Sequence, residues 1–261
     1  EGKFYTIRED DDRVLGIVGS RYQVLQNGDA FRFMDAITQD PKGPKYETAG
    51  ILYGGTKVFL LAKLPESPEV VPGDAINQYM LLANSHDGSS PVIICETPVR
   101  VVCQNTLNAA LRTTSKSSRL RHSGNLRGKV QEVQDLLGIV RLNFEETIGI
   151  YQDLSKKEPS KEDVEKVLER LFPATETARA DNQKTRMMAL YEGSGQGSTL
   201  KGVAGTYWGL YNAFTELEDH WNNQGSKRED AADMRTNGIL FGAAKSRKED
   251  ALATIRELAG V

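Results

Sequence analysis

Short apolar runs separated by turn residues fill the first third of the chain, which is the pattern of an antiparallel sheet. Gly19-Ser20 lies between two such runs and predicts a tight β-hairpin, and Gly54-Gly55 predicts a second one. The polar loop 85–90 separates a further pair of strands. The predicted strands are residues 14–18, 22–25, 49–53, 57–63, 75–84 and 91–97.

Two positions mark a change from strand to helix. A helix is predicted at residues 27–40, where Asn27 suits an N-cap. At Thr97-Pro98 the period of the apolar positions changes from two to about 3.6, with Thr97 as N-cap and proline at the first helical position. We therefore expect strands to be almost confined to residues 1–97 and helices to dominate beyond. The apolar positions of the first helix are Phe31, Met34 and Ile37.

The second half of the chain has helical periodicity throughout. A near-heptad spacing of apolar residues from Val130 to Tyr151 predicts a long helix that lies along a partner helix or another subunit. Ser160 is predicted to cap a short helix that ends at Phe172-Pro173. Further helices are predicted near residues 184–191, 203–221 and 228–258, with a flexible loop at 193–198 and a break near Gly238 or Gly242.

The charges are unevenly distributed along the chain. The whole protein carries 33 basic and 36 acidic residues, a formal charge of −3, yet residues 97–129 contain basic side chains and no acid. Clustered cations without competing carboxylates, interspersed with amide side chains, suit the phosphates of a polyanion. The candidate nucleic-acid-binding residues are Arg100, Gln104, Asn108, Arg112, Lys116, Arg119, Arg121, Arg127 and Lys129.

Two interpretations of this basic region stay open at the level of sequence. It would bind nucleic acid, with Tyr53, Phe59 and Tyr79 on the strands as candidates to stack on unpaired bases. Alternatively, it would be a solvated helix face that pairs with acidic parts of the chain.

The combined pattern predicts an α+β fold with an N-terminal antiparallel β-hairpin meander packed with helices, followed by a mostly helical C-terminal part. Residues 1–129 are predicted to form a candidate nucleic-acid-binding core of sheet plus basic helix. Residues 130–261 are predicted to be a helical region for oligomerisation or interaction.

No assembled enzyme active site is expected. The glycine loop 193–198 is not a phosphate-binding loop, because Lys201 is followed by Gly202 instead of Ser or Thr. His86-Asp87 and a downstream acidic cluster are the places where metal or acid–base chemistry is conceivable, but a hydrogen-bonded turn and a helix end are the favoured explanations. We expect no cofactor and no metal. The cluster is Glu216, Glu218, Asp219 and His220.

The cysteines and the hydropathy indicate a reducing compartment and no membrane partner. Cys95 and Cys103 both lie in apolar segments, where a free thiol behaves as a small hydrophobe. No run approaches the roughly 18 apolar residues of a membrane span, and no secretory signal is visible. The expected location is the cytoplasm.

Several segments resemble one protein family. The matching residues are 22–27 (Tyr-Gln-Val-Leu-Gln-Asn), 84–89 (Asn-Ser-His-Asp-Gly-Ser), 97–111, 121–125 and 206–220. They are similar to a family carried by phages and plasmids that is described as a phage/plasmid-like protein of unknown function. The resemblance spans about residues 13 to 245. It implies a mobile-element setting and brings no catalytic residues with it.

A second resemblance concerns only the order of elements. Antiparallel hairpins that lead directly into a basic helix are similar to the single-strand annealing proteins of phage recombination, the RecT/Redβ type, which form rings or filaments on DNA. This implies a homo-oligomer that binds single-stranded DNA and promotes annealing during recombination or replication. The alternatives are a metal-dependent phosphodiesterase or nuclease that uses His86, Asp87 and Glu96, and a protein-interaction factor that counters host defence.

Overall fold

The protein is described by a computed structural model with an α+β fold, as predicted. The structure describes residues 2–39, 41–102, 105–106, 118–122, 137–173, 178–222 and 228–261. It divides into two compact units. Unit 1 comprises Glu1–Glu66, Gln78–Thr97 and Thr113–Asn143, and unit 2 comprises Ser67–Asn77, Pro98–Arg112 and Phe144–Val261.

This division is interleaved along the chain. The sequence predicted a single boundary between residues 129 and 130, but unit 2 also takes segments from the predicted N-terminal domain. Strands β5 (Ile76–Ser85) and β6 (Val92–Arg100) each have residues in both units.

Unit 1 begins with a two-stranded antiparallel ribbon, β1 (Lys3–Arg8) and β2 (Arg13–Gly19). The predicted hairpin around Gly19-Ser20 is therefore wrong, since β2 pairs with a strand that precedes it. Residues 22–25 form no strand. Hydrogen bonds that involve the side chains of Tyr22 and Asn84 connect this segment to the end of β5, and no β-ladder is formed.

The larger sheet has the order β3 (Lys45–Leu52), β4 (Lys57–Lys63), β5, β6 and β7 (Asn105–Thr106), and β8 (Ser118–Leu120) also pairs with β6. The hairpin at Gly54-Gly55 is confirmed, because β3 (Lys45–Leu52) pairs antiparallel with β4 (Lys57–Lys63). One face of β4 and β5 packs against helix α1 (Asn27–Thr38), and Met34 from that helix is fully buried. This packing forms the hydrophobic core of unit 1.

The predicted change to helix at Thr97-Pro98 is wrong. Strand β6 continues to Arg100, where it pairs with β7 (Asn105–Thr106). Beyond it, the Val101 amide donates a 2.9 Å hydrogen bond to the Ala75 carbonyl. Pairing with distant segments therefore outweighs the local helix signal. Residues 103, 104 and 107–117 of the predicted basic helix lie outside the described residues, and β8 (Ser118–Leu120) adds a short strand beyond residue 97.

Unit 2 is helical around its own core. Helix α2 (Leu137–Leu154) agrees with the predicted long helix in its described part. Its apolar residues Phe144, Ile148 and Tyr151 are buried in the core of unit 2. This part of the near-heptad seam is consequently not available to another subunit.

The remaining predicted helices are confirmed with shifted ends. Ser160 caps α3 (Lys161–Leu171) through a capping box with Asp163. The break near Gly242 separates two of the later helices. The other helices are α4 (Ala178–Ala189), α5 (Tyr207–Glu216), α6 (Ala231–Leu240) and α7 (Ala243–Ala259), and π-helical turns at Leu190–Ser194 and Leu217–Trp221 follow α4 and α5.

None of the helices that the structure describes is long and apolar enough to cross a membrane.

Candidate functional site

The loop after β5 is closed by its own side chains. The Ser85 hydroxyl donates to the Ser90 carbonyl at 2.8 Å and accepts from the Ser90 amide at 3.2 Å. The Asp87 carboxylate accepts a 2.9 Å hydrogen bond from the Ser89 amide. These contacts agree with the interpretation of residues 84–89 as a hydrogen-bonded turn, and they leave Gly88 and Ser89 exposed.

Residues 22–27 lie over this loop. The Asn84 amide group donates to the Leu25 carbonyl at 2.9 Å, and the His86 Nε2 atom lies 3.0 Å from Asn27 Oδ1. The Tyr22 hydroxyl donates a 2.6 Å hydrogen bond to the Ser85 carbonyl. These side-chain contacts explain why this segment is ordered without belonging to a strand.

The segment that follows β8 completes the site. The His122 ring stacks on the Tyr22 ring with centroids 4.4 Å apart and an interplanar angle of 16°. The Gln23 amide donates to the His122 carbonyl at 2.8 Å, and His122 Nδ1 lies 2.9 Å from the Gln23 carbonyl. Because a carbonyl can only accept, Nδ1 carries the proton and Nε2 of the neutral ring is an acceptor. Nε2 is buried and has no hydrogen-bond partner among the described residues.

A cleft of about 760 Å³ opens at this junction. Arg21 and Arg121 are exposed on its wall, and neither guanidinium forms an ion pair or hydrogen bond with a described residue. The cleft therefore presents positive charge that no carboxylate of a described residue compensates. Its lining residues are Gly2, Gly19, Ser20, Arg21, Tyr22, Gly88, Ser89, Ser90, Pro91, Arg121 and His122, all in unit 1.

The histidines of the site are neutral near pH 7. Burial lowers the pKa of His122 from its ordinary value of 6.5. Burial also lowers the pKa of His86, and the neighbouring His122 lowers it further. The permanent charge of the cleft thus comes from the two arginines.

The ribbon is fixed to the same loop by a close backbone approach. The Thr6 hydroxyl donates a 2.6 Å hydrogen bond to the His86 carbonyl. At Gly16 on β2, a Cβ atom would lie 2.4 Å from the Asp87 Cα atom, so only glycine fits there. Sequence reasoning missed this role for Gly16.

Arg100, a predicted phosphate ligand, is a structural residue of unit 2. Its side chain is 1% exposed, and its Nε and Nη2 atoms donate to the two carboxylate oxygens of Asp74 at 2.6 and 3.0 Å. Trp208 Nε1 donates to the same carboxylate at 2.8 Å. Further bonds reach the carbonyls of Gln196 and Gly197. A buried guanidinium with these partners cannot contact a phosphate, which corrects the prediction.

The acidic cluster at residues 216–219 also has internal partners. Asp219 accepts hydrogen bonds from the Thr106 amide at 2.7 Å and from Lys248 Nζ at 2.8 Å. Lys248 is fully buried, which lowers its pKa, while Asp219 opposes that shift. Glu218 pairs with Arg247. Within the described ranges, no group of three His, Cys, Asp or Glu residues could hold a metal ion.

The other predicted residues divide into three groups. Phe59 and Tyr79 are buried at 9% and 8% exposure, so they are corrected from base-stacking candidates to core residues, whereas Tyr53 is half-buried. Arg119 lies on β8, where its backbone pairs with Ile93. The candidates outside the described residues are Gln104, Asn108, Arg112, Lys116, Arg127 and Lys129.

Glu96, a residue of the phosphodiesterase alternative, is largely buried beside Gln78. Burial raises the pKa of its carboxyl to about 8, and the hydrogen bond with Gln78 opposes this shift. The Oε1 atom has no hydrogen-bond partner among the described residues. A carboxyl that is mostly protonated at neutral pH is a poor ligand for a metal ion.

The cleft unites three of the segments on which the family resemblance rests. Residues 22–27, 84–89 and the start of 121–125 are far apart in sequence and meet through the hydrogen bonds described above. Arg21 was missed because an isolated arginine beside a turn carries no pattern of its own. The signal that could have found it is its position next to the first of these segments.

These features define unit 1 as a scaffold for a basic cleft. The chain belongs to the family described as Domain of unknown function (DUF932), whose model matches residues 14–252. No curated protein matches the chain, and no solved structure does.

Proposed function

We propose that the protein binds single-stranded DNA and promotes strand annealing during recombination or replication of a phage or plasmid. The observation that carries this proposal is the cleft of unit 1, where exposed Arg21 and Arg121 lie beside the stacked Tyr22–His122 pair. Guanidinium groups bind phosphates in a planar, bidentate geometry and also stack on bases. A cleft with cations and an aromatic wall suits an unpaired strand better than a flat duplex surface.

The set of DNA contacts differs from the one predicted from sequence. Arg121 is retained and Arg21 is added, whereas Arg100 is removed because Asp74 neutralises it. Arg119 stays in the proposal because it lies on β8, two residues before Arg121. The undescribed basic and amide residues between positions 104 and 129 stay in the proposal on the sequence argument alone.

Annealing brings two strands together, so the proposal includes a homo-oligomer, either a ring or a filament. The support for it is the resemblance to the annealing proteins, since the described part of the α2 seam is used inside unit 2. The proposed location is the cytoplasm of the bacterial host.

The phosphodiesterase alternative receives less support from the geometry. The His86 ring is engaged with Asn27, and Asp87 accepts from the Ser89 amide. The carboxyl of Glu96 is largely buried and protonated near neutral pH. No described group of residues links these three into a metal site.

The test is the double variant Arg21→Ala/Arg121→Ala in an oligonucleotide titration over a range of salt concentrations. Loss of two phosphate contacts should lower the affinity for every sequence tested, because phosphates carry no base information. The log–log salt slope should flatten by about 1.4, taking roughly 0.7 per phosphate on a single strand.

Arg235→Ala is the matched control, because Arg235 is an exposed arginine of unit 2 with no ion pair among the described residues. It should leave both affinity and slope unchanged. A double variant that binds like the parent would remove the cleft as the DNA site. Annealing of complementary oligonucleotides, measured alongside the oligomer mass, then distinguishes an annealing protein from a simple strand binder.

A further inference from the structure

His122 is a buried titratable side chain in the same cleft as the two exposed arginines. It is 8% exposed and lines the cleft. Arg121 precedes it in the chain, and Arg21 precedes Tyr22, on which the imidazole stacks. Two permanent cations and one neutral imidazole thus line one cleft. Unlike the guanidinium groups, the imidazole can change its charge near neutral pH.

The hydrogen bonding of His122 leaves one ring nitrogen able to take a proton. Its Nδ1–H donates to the Gln23 carbonyl at 2.9 Å, and Nε2 is a buried acceptor without a partner among the described residues. Protonation at Nε2 therefore breaks no hydrogen bond. The face of the Tyr22 ring, stacked at 4.4 Å between centroids, is a favourable neighbour for a charged ring.

Burial keeps His122 neutral in the free protein. It lowers the pKa of the imidazole, and the hydrogen bond to the Gln23 carbonyl opposes this shift. Among the described residues, the charged and titratable groups around the ring are Arg21 and Tyr22 on the segment 21–27, His86 and Asp87 on the loop after β5, and Arg121 beside it in the chain.

The one acid in this set acts on other groups. Burial lowers the pKa of His86, the neighbouring His122 lowers it further, and the Asp87 carboxylate opposes both. Burial raises the pKa of Tyr22, and Asp87 raises it further, so the phenol stays neutral. A proton on His122 therefore has no negative partner of its own among these groups.

A phosphate held by Arg21 and Arg121 would supply that negative charge. It would offset the guanidinium charges at the cleft and favour the imidazolium over the neutral ring. The effect is reciprocal, since a ligand that favours the protonated ring is itself bound more tightly by the protonated protein.

We propose that binding of a strand phosphate in the cleft is coupled to the uptake of one proton from solvent by His122 Nε2. This inference rests on the proposed function and deepens it, because it makes strand binding sensitive to pH. The bound protein holds the proton up to a higher pH than the free protein does. Strand affinity therefore rises as the pH falls between these two values and levels off outside them.

The experiment is a calorimetric titration of the full chain with an oligothymidylate, in two buffers of different ionisation enthalpy, from about pH 5.5 to about pH 8. Thymine and phosphodiesters do not titrate in this range, so a proton taken up on binding belongs to the protein. Uptake should approach one proton for each cleft. The affinity should rise by up to about tenfold for each unit that the pH falls, the limit for a single proton.

Two variants assign the proton to its residue. His122→Phe keeps a ring against Tyr22 and should lose both the uptake and the rise in affinity at low pH. His86→Gln is the matched control, because an amide can still donate to Asn27 Oδ1, and it should keep the uptake. Uptake that persists in His122→Phe, or that is lost in His86→Gln alone, would overturn the inference.

A second measurement does not depend on the folding of His122→Phe. The chain has three histidines, whose Cε1–H resonances can be titrated in the parent and assigned with His86→Gln and His220→Gln. The midpoint of His122 should move to higher pH when oligothymidylate is bound, whereas that of His220, which belongs to unit 2, should not move. An unchanged His122 midpoint with the strand bound would overturn the coupling.

Failure of this inference is distinguishable from failure of the proposed function. Strand binding without proton uptake would overturn the coupling alone. Absence of strand binding at every pH would overturn the proposed function and the coupling with it. Full uptake by Arg21→Ala/Arg121→Ala at saturating strand would show that a phosphate held by these arginines is not its cause, which also overturns the coupling.

Discussion

The arginines of the cleft in unit 1 and the buried Arg100 of unit 2 occupy opposite environments. In unit 1, Arg21 and Arg121 are exposed at a cleft and have no carboxylate partner among the described residues. In unit 2, Arg100 is buried on Asp74 and Lys248 is buried on Asp219. An unpaired buried charge is strongly unfavourable, so these two buried cations of unit 2 require their acids. Arg21 and Arg121 are exposed at the cleft and accessible to a ligand.

The difference shows why a count of charges along the sequence does not locate a binding surface. Arg100 lies in the acid-free stretch 97–129, yet its counter-ion, Asp74, comes from a segment 26 residues earlier. Arg121 lies in the same stretch and acquires no described acidic partner. Two arginines with the same sequence environment thus have opposite roles, and only the fold separates them.

The largest expected effect tests the structural role of the buried pair. Asp74→Asn keeps the shape of the side chain but leaves the Arg100 guanidinium buried without its counter-ion. We expect a loss of about 3–5 kcal/mol in the free energy of unfolding, the usual result of breaking a buried pair by removing one partner. Denaturant titration followed by circular dichroism measures it.

The matched control for this change is Arg170→Ala, which breaks an ion pair between exposed side chains, Arg170 and Glu257. It should have little measurable effect on unfolding, because solvent screens such pairs. Similar losses of unfolding free energy in Asp74→Asn and Arg170→Ala would show that burial does not make an ion pair more important for stability.

A smaller effect of opposite sign is expected in unit 1 at Glu96. Its pKa of about 8 in the folded protein exceeds the ordinary value of 4.5. Between these values the folded state holds a proton that the unfolded state has released, so stability falls as the pH rises from about 4.5 to 8. Glu96→Gln mimics the protonated carboxyl and should stabilise the protein, most of all at pH 8 and above.

The measurement is the difference in unfolding free energy between parent and Glu96→Gln across that pH range. The difference should be small below pH 4.5 and should level off above pH 8. A difference that does not change with pH would mean that the Glu96 carboxyl has the same pKa in the folded and unfolded protein.

The smallest effect concerns the two histidines of the site. Their pKa values are lowered in the folded protein. Below about pH 6.5 the unfolded state therefore binds more protons than the folded state, and the protein becomes less stable as the pH decreases. His122→Phe keeps a ring against Tyr22 and removes one titrating group, so the parent should lose more stability than this variant between about pH 7 and about pH 5. An equal loss in both proteins would assign the acid sensitivity to other groups.

Local turn chemistry made part of the fold predictable. Gly54-Gly55 fixed the position of one hairpin, and Ser160 and Gly242 marked helix ends that the structure confirms. These signals depend on neighbours within a few residues. The change in the spacing of apolar residues at Thr97 wrongly predicted a helix. Residues 99–101 are held in extended conformation by pairing with residues 75 and 105–106.

The candidate site was less predictable for the same reason. Its two arginines lie 100 positions apart, and their relation arises from contacts of residues 22–27 with 84–86 and 122. Strand β1 was also missed, since its apolar residues Phe4, Tyr5 and Ile7 do not alternate strictly with polar ones. The ribbon and the cleft are therefore properties of tertiary structure.

The burial of Trp208 has a practical consequence for optical measurements. The chain has two tryptophans, and both lie in unit 2: Trp208 is fully buried beside Tyr151, and Trp221 is 38% exposed under the guanidinium of Arg186. Their fluorescence reports on unit 2 alone, with short-wavelength emission from the buried indole and longer-wavelength emission from the exposed one. A strand that binds only at the cleft should leave this emission unchanged, whereas loss of the Asp74 carboxylate should shift the Trp208 component towards the red.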